Sequence, residues 1–166
     1  MKKSCLTITI AAFLSIWING LHAQTVQTKL NQVELKNQLL GSWKIDYAKD
    51  TTGYIDFTSY GTGVDGNMKY VSKGKVVMEV RIIWGYDKSI DRFVGLQQIK
   101  DGDIFLLSGK FILKNKYVLV NIKDISNPEK ASLKIEGEFK TADLLKETTI
   151  DNNNKPVITR TYTRVK

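Results

Sequence analysis

The side chains best suited to covalent and acid–base chemistry are nearly missing from this sequence. It holds one cysteine, Cys5, and one histidine, His22, in 166 residues. Both precede residue 24, inside a segment with the layout of an export signal. Without that segment no thiol nucleophile exists, and no Ser–His or Cys–His pair and no Cys/His zinc site can be assembled. Carboxylates, tyrosines and methionines remain. Asp56, Asp65, Asp87, Asp91, Asp101 and Asp103 fall mostly in or beside predicted turns, where aspartate ordinarily bonds its local backbone. Glycoside hydrolysis would need two carboxylates about 5–10 Å apart across a cleft, and no motif singles out such a pair. The glycine-rich stretch Gly61–Gly66 has neither a phosphate-binding pattern with a following helix nor calcium-ligand spacing, and is expected to form a mobile loop. Glu79 and Arg81 share one face of a predicted strand, either as an exposed ion network or as lumen-facing groups that orient a polar ligand. Haem ligation by Met68, Met78 or a tyrosine is disfavoured, because methionine on an apolar strand track belongs to the core. No catalytic residue, metal site or cofactor is therefore assigned.

The N-terminus sets the expected compartment. Met1-Lys2-Lys3 is followed by an uncharged apolar run over residues 6–18, then by Leu21-His22-Ala23 before Gln24. A basic start, a short apolar middle and a small residue at the cut make a secretory signal, and the run is shorter than the ~20 residues that cross a bilayer. Residues 1–23 are read as this signal and residues 24–166 as one domain, exported to the periplasm or beyond. The net charge of +8 falls to +6 once Lys2 and Lys3 are gone. The remaining basic residues are scattered, as at Lys69, Lys73, Lys114 and Lys116, which suits solvated strand faces. No nucleic-acid partner is expected of an exported chain with its basic residues so dispersed.

After one short helix, placed at residues 29–40 and stopped by Gly41, the helical period disappears and alternation replaces it. Trp43, Ile45 and Tyr47 share one face; Val76, Met78, Val80, Ile82 and Trp84 form the longest apolar track. Turn signals recur every 10–15 residues, among them Ser72-Lys73-Gly74-Lys75, Asp101-Gly102 and Asn152-Asn153-Asn154. Short strands joined by short turns, with no second helical block to cross over, imply an antiparallel meander. The fold expected is all-β: an up-and-down barrel of about 8–10 strands with one short N-terminal helix, closed because an open meander would leave long edges. A two-sheet sandwich is the other architecture the pattern allows. A membrane-spanning barrel is disfavoured, since the positions alternating with the apolar track include Lys44, Asp46, Glu79, Arg81, Lys134 and Lys140, which lipid would not accept.

Gly41-Ser42-Trp43 at the start of the first strand, with the closing run Arg160-Thr161-Tyr162-Thr163-Arg164, resembles the lipocalin-like, calycin-type barrels. Trp84-Gly85-Tyr86-Asp87 followed by Arg92-Phe93-Val94-Gly95 is similar to the central hairpin of small bacterial domains of that type. The resemblance implies that Trp43 plugs one end of the barrel and that Arg164 or Arg160 packs over its ring. It also implies an interior able to hold a small apolar ligand. Met68, Tyr70, Met78, Val80, Ile82, Trp84, Phe93 and Gln97 are the candidate walls of such a site. Two classes of function stay open: a barrel that binds a small, largely apolar molecule, and a filled barrel that works through its outer surface as an envelope interaction module. If the last hairpin pairs Ile150 with Val157, Glu147 lies opposite Arg160, as a structural pair.

Overall fold

The computed structural model describes residues 29–166. The proposed signal, with Cys5 and His22, lies outside the described residues. Ten antiparallel strands follow one another around a closed barrel. They are β1 (Gly41–Ala48), β2 (Thr51–Tyr60), β3 (Gly63–Ser72), β4 (Lys75–Asp87) and β5 (Arg92–Ile99). The second half comprises β6 (Ile104–Leu113), β7 (Lys116–Asn121), β8 (Leu133–Thr141), β9 (Leu144–Asp151) and β10 (Pro156–Arg164). Each strand pairs with its neighbours in sequence. The ring closes where β1 meets β10, with Trp43 opposite Arg164 and Ile45 opposite Tyr162. This is the all-β, up-and-down barrel that the alternation predicts, and closure leaves no edge strand to be protected.

Alternation decides what faces inward. Along β4 the side chains of Val80, Ile82 and Trp84 are buried, while Glu79, Arg81 and Ile83 point outward. The buried set continues through Ile45, Ile55, Leu107, Phe111, Leu145 and Tyr162 to make one core. A register shift between Tyr70 and Val71 moves the start of β4 out of phase, and Val76 leaves the apolar track for the exterior.

The predicted N-terminal helix is shorter and less regular than its leucine spacing suggests. Gln32–Leu35 is a single α-helical turn, α1, and Lys36–Leu39 continues it as a 3-10 turn. Asn31 caps α1 by accepting a hydrogen bond from the Glu34 N–H. So short a helix has little stability of its own and is held by what it touches. The buried Gln32 amide exchanges two hydrogen bonds with the Phe111 backbone at 2.7 and 3.0 Å, as a neighbouring strand would. Lys36, also buried, donates to Ser59 Oγ at 2.8 Å, and Leu35 and Leu39 pack on the core. Residues 30–40 thus cover one end of the barrel.

The stretch 61–66 is not a loop. Residues 63–66 belong to β3, which begins at Gly63, and only Gly61 and Thr62 turn the chain, at the covered end. The glycines signal close packing here. A methyl group at Gly63 would fall 1.8 Å from the Trp84 carbonyl oxygen, and one at Gly66 would meet the Phe57 ring at 2.7 Å.

Candidate functional site

The covered end is fastened by the contact the barrel resemblance implied. The Arg164 guanidinium lies 4.1 Å from the centre of the Trp43 ring. The same guanidinium donates to the carbonyls of Leu40 (2.5 Å), Gln38 (3.0 Å) and Ala142 (3.1 Å), and pairs with Asp143 at 3.3 Å. Trp43 Nε1 donates to the Leu39 carbonyl at 2.8 Å, so the indole is both packed and satisfied. Gly41 makes this corner possible. Its φ of +106° suits glycine, and an added methyl would lie 2.9 Å from Arg164 Nη1. Arg164, not Arg160, covers Trp43. Arg160 sits four residues earlier on β10, with the same inward phase but nearer the opposite end.

Toward that opposite end the barrel holds an internal cavity of about 370 Å³. Six of the eight residues proposed from sequence line it: Met68, Tyr70, Met78, Val80, Ile82 and Gln97. The other two, Trp84 and Phe93, lie deeper. With Val64, Phe111 and Leu119 they surround a separate apolar gap of about 50 Å³ beneath the N-terminal turns. Trp84 and Phe93 are core floor rather than cavity wall: Gly95 and Gly109 let neighbouring strands approach Trp84 closely, and Phe57 fills the space beside them. The rest of the cavity lining is largely aliphatic, from Ile55 and Ile99 to Leu133 and Ile135.

One polar cluster interrupts this lining. The Glu147 carboxylate accepts hydrogen bonds from the phenols of Tyr117 and Tyr162, one on each oxygen. Glu147 follows Leu145 on the inward face of β9, and Arg160 is its cross-strand partner on β10. Ile150 pairs with Pro156 rather than Val157, and a bulge before Ile158 absorbs the difference, so Glu147 still falls opposite Arg160. Tyr117 reaches Glu147 by crossing β8 over Gly137. A methyl group there would lie 2.1–2.6 Å from three ring carbons of Tyr117. Gly53 serves Tyr70 in the same way, with the ring 2.9 Å from where a methyl would sit.

Arg160 is the cation of the cluster. Its guanidinium lies 5.6 Å from the centre of the Tyr47 ring, which itself meets Tyr70 at 4.8 Å. Nη1 donates to Thr149 Oγ1 at a long 3.4 Å, and the buried Nε has no partner. An unsatisfied buried donor of this kind costs about 1–3 kcal/mol. Burial, then the negative charge of Glu147, pushes the Tyr117 and Tyr162 phenols well above their ordinary range, so both remain donors at neutral pH. Burial also raises Tyr70, with the Arg160 charge opposing it. Burial alone would lower Arg160, but the ionised forms of Tyr162 and Tyr70 at high pH and the Glu147 carboxylate outweigh it, and the guanidinium is charged throughout.

Sequence reasoning placed Glu147 opposite Arg160 but did not place the pair in the lumen, and it missed Tyr47, Tyr117, Thr149 and Tyr162 as cavity neighbours. The signals were available. Glu147 shares its phase with Leu145, and Gly137 interrupts a strand for no local reason, the mark of a close approach from elsewhere.

Glu79 and Arg81 face outward. Glu79 meets Lys100 at 3.4 Å, and Arg81 pairs with Asp65 at 2.5 Å and Asn67 at 2.7 Å. They form the exposed ion network, worth about 0–1 kcal/mol per pair. Among the described residues, no group of three or more His, Cys, Asp or Glu side chains could hold a metal ion, and no helix is long and apolar enough to cross a membrane. No protein-family model matches the chain, and no curated protein matches it either.

Proposed function

We propose that this chain is an exported, lipocalin-like barrel that binds a small, largely apolar molecule in its interior. The observation that carries the reading is the cavity of about 370 Å³, within the usual range for small-ligand pockets, with an aliphatic lining and a few convergent polar groups at one side. A barrel serving only as a scaffold would be expected to fill this space, since voids in a core cost stability. Buried polar groups with unmet hydrogen-bonding capacity also favour a binding role.

Displacement of an environment-sensitive apolar dye, followed by calorimetry with the displacing molecules, tests the reading. Saturable binding at one site per chain is expected. Failure of every apolar class to bind, with no small molecule extracted from the purified protein, would refute it. Export rests on the layout of residues 1–23, and an N-terminus at Gln24 in the mature protein, read by mass spectrometry, is the matching test.

A second reading has its own observation. Ile83, Leu96 and Leu106 are cross-strand partners in one row on the outer face of β4–β6, with Ile83 and Leu106 exposed and Ile104 nearby. An outward apolar row of this kind suits a protein-interaction surface. Under that reading, Leu106→Lys would abolish capture of an envelope partner while leaving the cavity unchanged.

A further inference from the structure

We infer that the outer face of β4–β6 is a homodimer interface, on which a second copy of this chain packs about a two-fold axis running along β5. The inference rests on the apolar row of the second reading above and names its occupant. It is independent of what the cavity holds.

The apolar surface is wider than the row itself. Ile83, Leu96 and Leu106 are cross-strand partners, and Val94 and Ile104 flank them on the same outward face. Ile122, one residue past the end of β7, prolongs the line beside Leu106. Ile83, Ile104, Leu106 and Ile122 are all exposed. Large aliphatic side chains gathered in this way favour cover by a partner. The barrel is closed and offers no strand edge, so that partner must pack face to face.

The charges around the row say what the partner is. Outward positions recur at every second residue, through Glu79, Arg81, Ile83, Gly85 and Asp87 on β4. Beside them on β5 stand Lys100, Gln98, Leu96, Val94 and Arg92. Toward the open end the charges cancel within the chain, since Glu79 pairs with Lys100 and Arg81 with Asp65. Toward the covered end they do not. Asp87 on β4 and Lys110 on β6 are exposed, and among the described residues neither forms an ion pair. They stand two strand spacings apart, about 10 Å, on either side of Arg92.

A two-fold axis along β5 lays β4 of one copy over β6 of the other. Ile83 then meets Leu106 of the second copy, and Leu96 meets its own image on the axis. Asp87 meets Lys110 of the second copy, and the same contact repeats by symmetry. Arg81 arrives at Ile104 of the second copy, which its alkyl stem can cover while its guanidinium keeps Asp65. A two-fold axis along the row would instead set Glu79 over Asp87 and Lys100 over Arg92, like charge on like charge. An anionic membrane is a poor occupant for a similar reason, because Asp65, Glu79 and Asp87 would face it. Self-complementarity about one axis is what an isologous interface requires. The footprint is about 15 Å from β4 to Ile122 and about 27 Å along β4, or near 400 Å² per copy, against ~800 Å² for a standard interface. The dimer is therefore weak, with a dissociation constant in the micromolar range or above.

Sedimentation velocity of the purified protein over about 1–500 μM tests this. A shift from monomer toward dimer across that range is expected. Leu96→Lys sets two ammonium groups against each other on the axis and should leave only monomer. Asp87→Lys and Lys110→Asp should each weaken the dimer at least about tenfold, because like charges then meet at both symmetric contacts. An equimolar mixture of these two variants should regain it, since opposite charges face each other again at both contacts of the mixed dimer. If Leu96→Lys does not fold, the mixing experiment decides alone. Monomer at every concentration overturns the inference, while capture of a different protein through Leu106 and binding in the cavity keep their own tests. A dimer that survives Leu96→Lys, or charge variants that do not recover on mixing, also overturns it.

Discussion

Gly137→Ala offers the sharpest test of how the interior cluster is built. In the native barrel the Tyr117 ring lies across β8 at Gly137, with Phe111 at 5.6 Å and Phe139 at 6.3 Å between ring centres. The alanine methyl would fall 2.1, 2.4 and 2.6 Å from three carbons of that ring, well inside van der Waals contact. Tyr117 is buried between its two aromatic neighbours, so the ring cannot retreat without losing packing. Overpacking of this kind costs about 1–3 kcal/mol. Displacing the ring also breaks the Tyr117–Glu147 hydrogen bond, and a bond to a charged group is worth about 1.5–3 kcal/mol. The stiffer unfolded chain returns about 0.4–1 kcal/mol. The net expectation is a loss of about 2–5 kcal/mol, or a fall of about 5–15 °C in Tm for a domain of this size. Urea and thermal unfolding would measure it. Gly85→Ala is the control, since a methyl there meets nothing nearer than the Val94 carbonyl oxygen at 4.0 Å. In a double-mutant cycle, Tyr117→Ala should remove most of the penalty of Gly137→Ala, giving a coupling energy of about 2 kcal/mol or more. If Gly137→Ala behaves like Gly85→Ala, or if the two substitutions are additive, the ring does not occupy the space above Gly137 and the account of the cluster fails.

Three further outcomes follow from the geometry. Arg164→Met removes the cation–π contact with Trp43 and leaves the carbonyls of Leu40, Gln38 and Ala142 without their donor; a loss of about 2–4 kcal/mol is expected by urea unfolding, with Arg164→Lys recovering little because it lacks the fork. Tyr117 and Tyr162 hold their protons more tightly folded than unfolded, so their contribution is complete below the ordinary tyrosine pKa of about 10 and is lost as pH rises through the higher folded values. Stability should therefore fall steeply above about pH 10, and Tyr117→Phe with Tyr162→Phe should flatten that limb of the pH–stability curve. Glu79→Gln with Arg81→Gln should change stability by no more than about 1 kcal/mol and leave apolar-dye binding in the cavity unaltered, because both side chains lie outside the barrel.

Much of the architecture follows from local rules that a sequence carries openly. The period of two along Val80, Ile82 and Trp84 assigns an inner and an outer face, and short turns such as Lys73-Gly74 leave only antiparallel neighbours for each strand. The plug at Trp43 was legible through the barrel resemblance, which left Arg160 and Arg164 as alternatives on the last strand; the structure chose Arg164. Local rules are weaker where geometry depends on distant partners. The leucine spacing of residues 30–40 suggests a longer helix, but the segment is shaped by the Gln32 contacts with β6 and the Lys36 contact with Ser59. The glycines of 61–66 look like a loop because the Trp84 carbonyl and the Phe57 ring that demand them lie elsewhere in the chain.

The sequence by itself therefore determined the fold class and the inward track of β4, while the pairing of Glu147 with Arg160 followed from it only through an Ile150–Val157 register that the bulge in β10 replaces. Only the tertiary structure decided that this pair faces the lumen, that Tyr117 crosses Gly137 to hold Glu147, and that Arg160 keeps an unpartnered donor there. Strand phase is a local property, set by alternate side chains along one segment. The cluster depends on β1, β3, β7, β9 and β10 meeting across the barrel, and their relative heights are fixed only when bulges and cross-strand packing set the register of the whole ring.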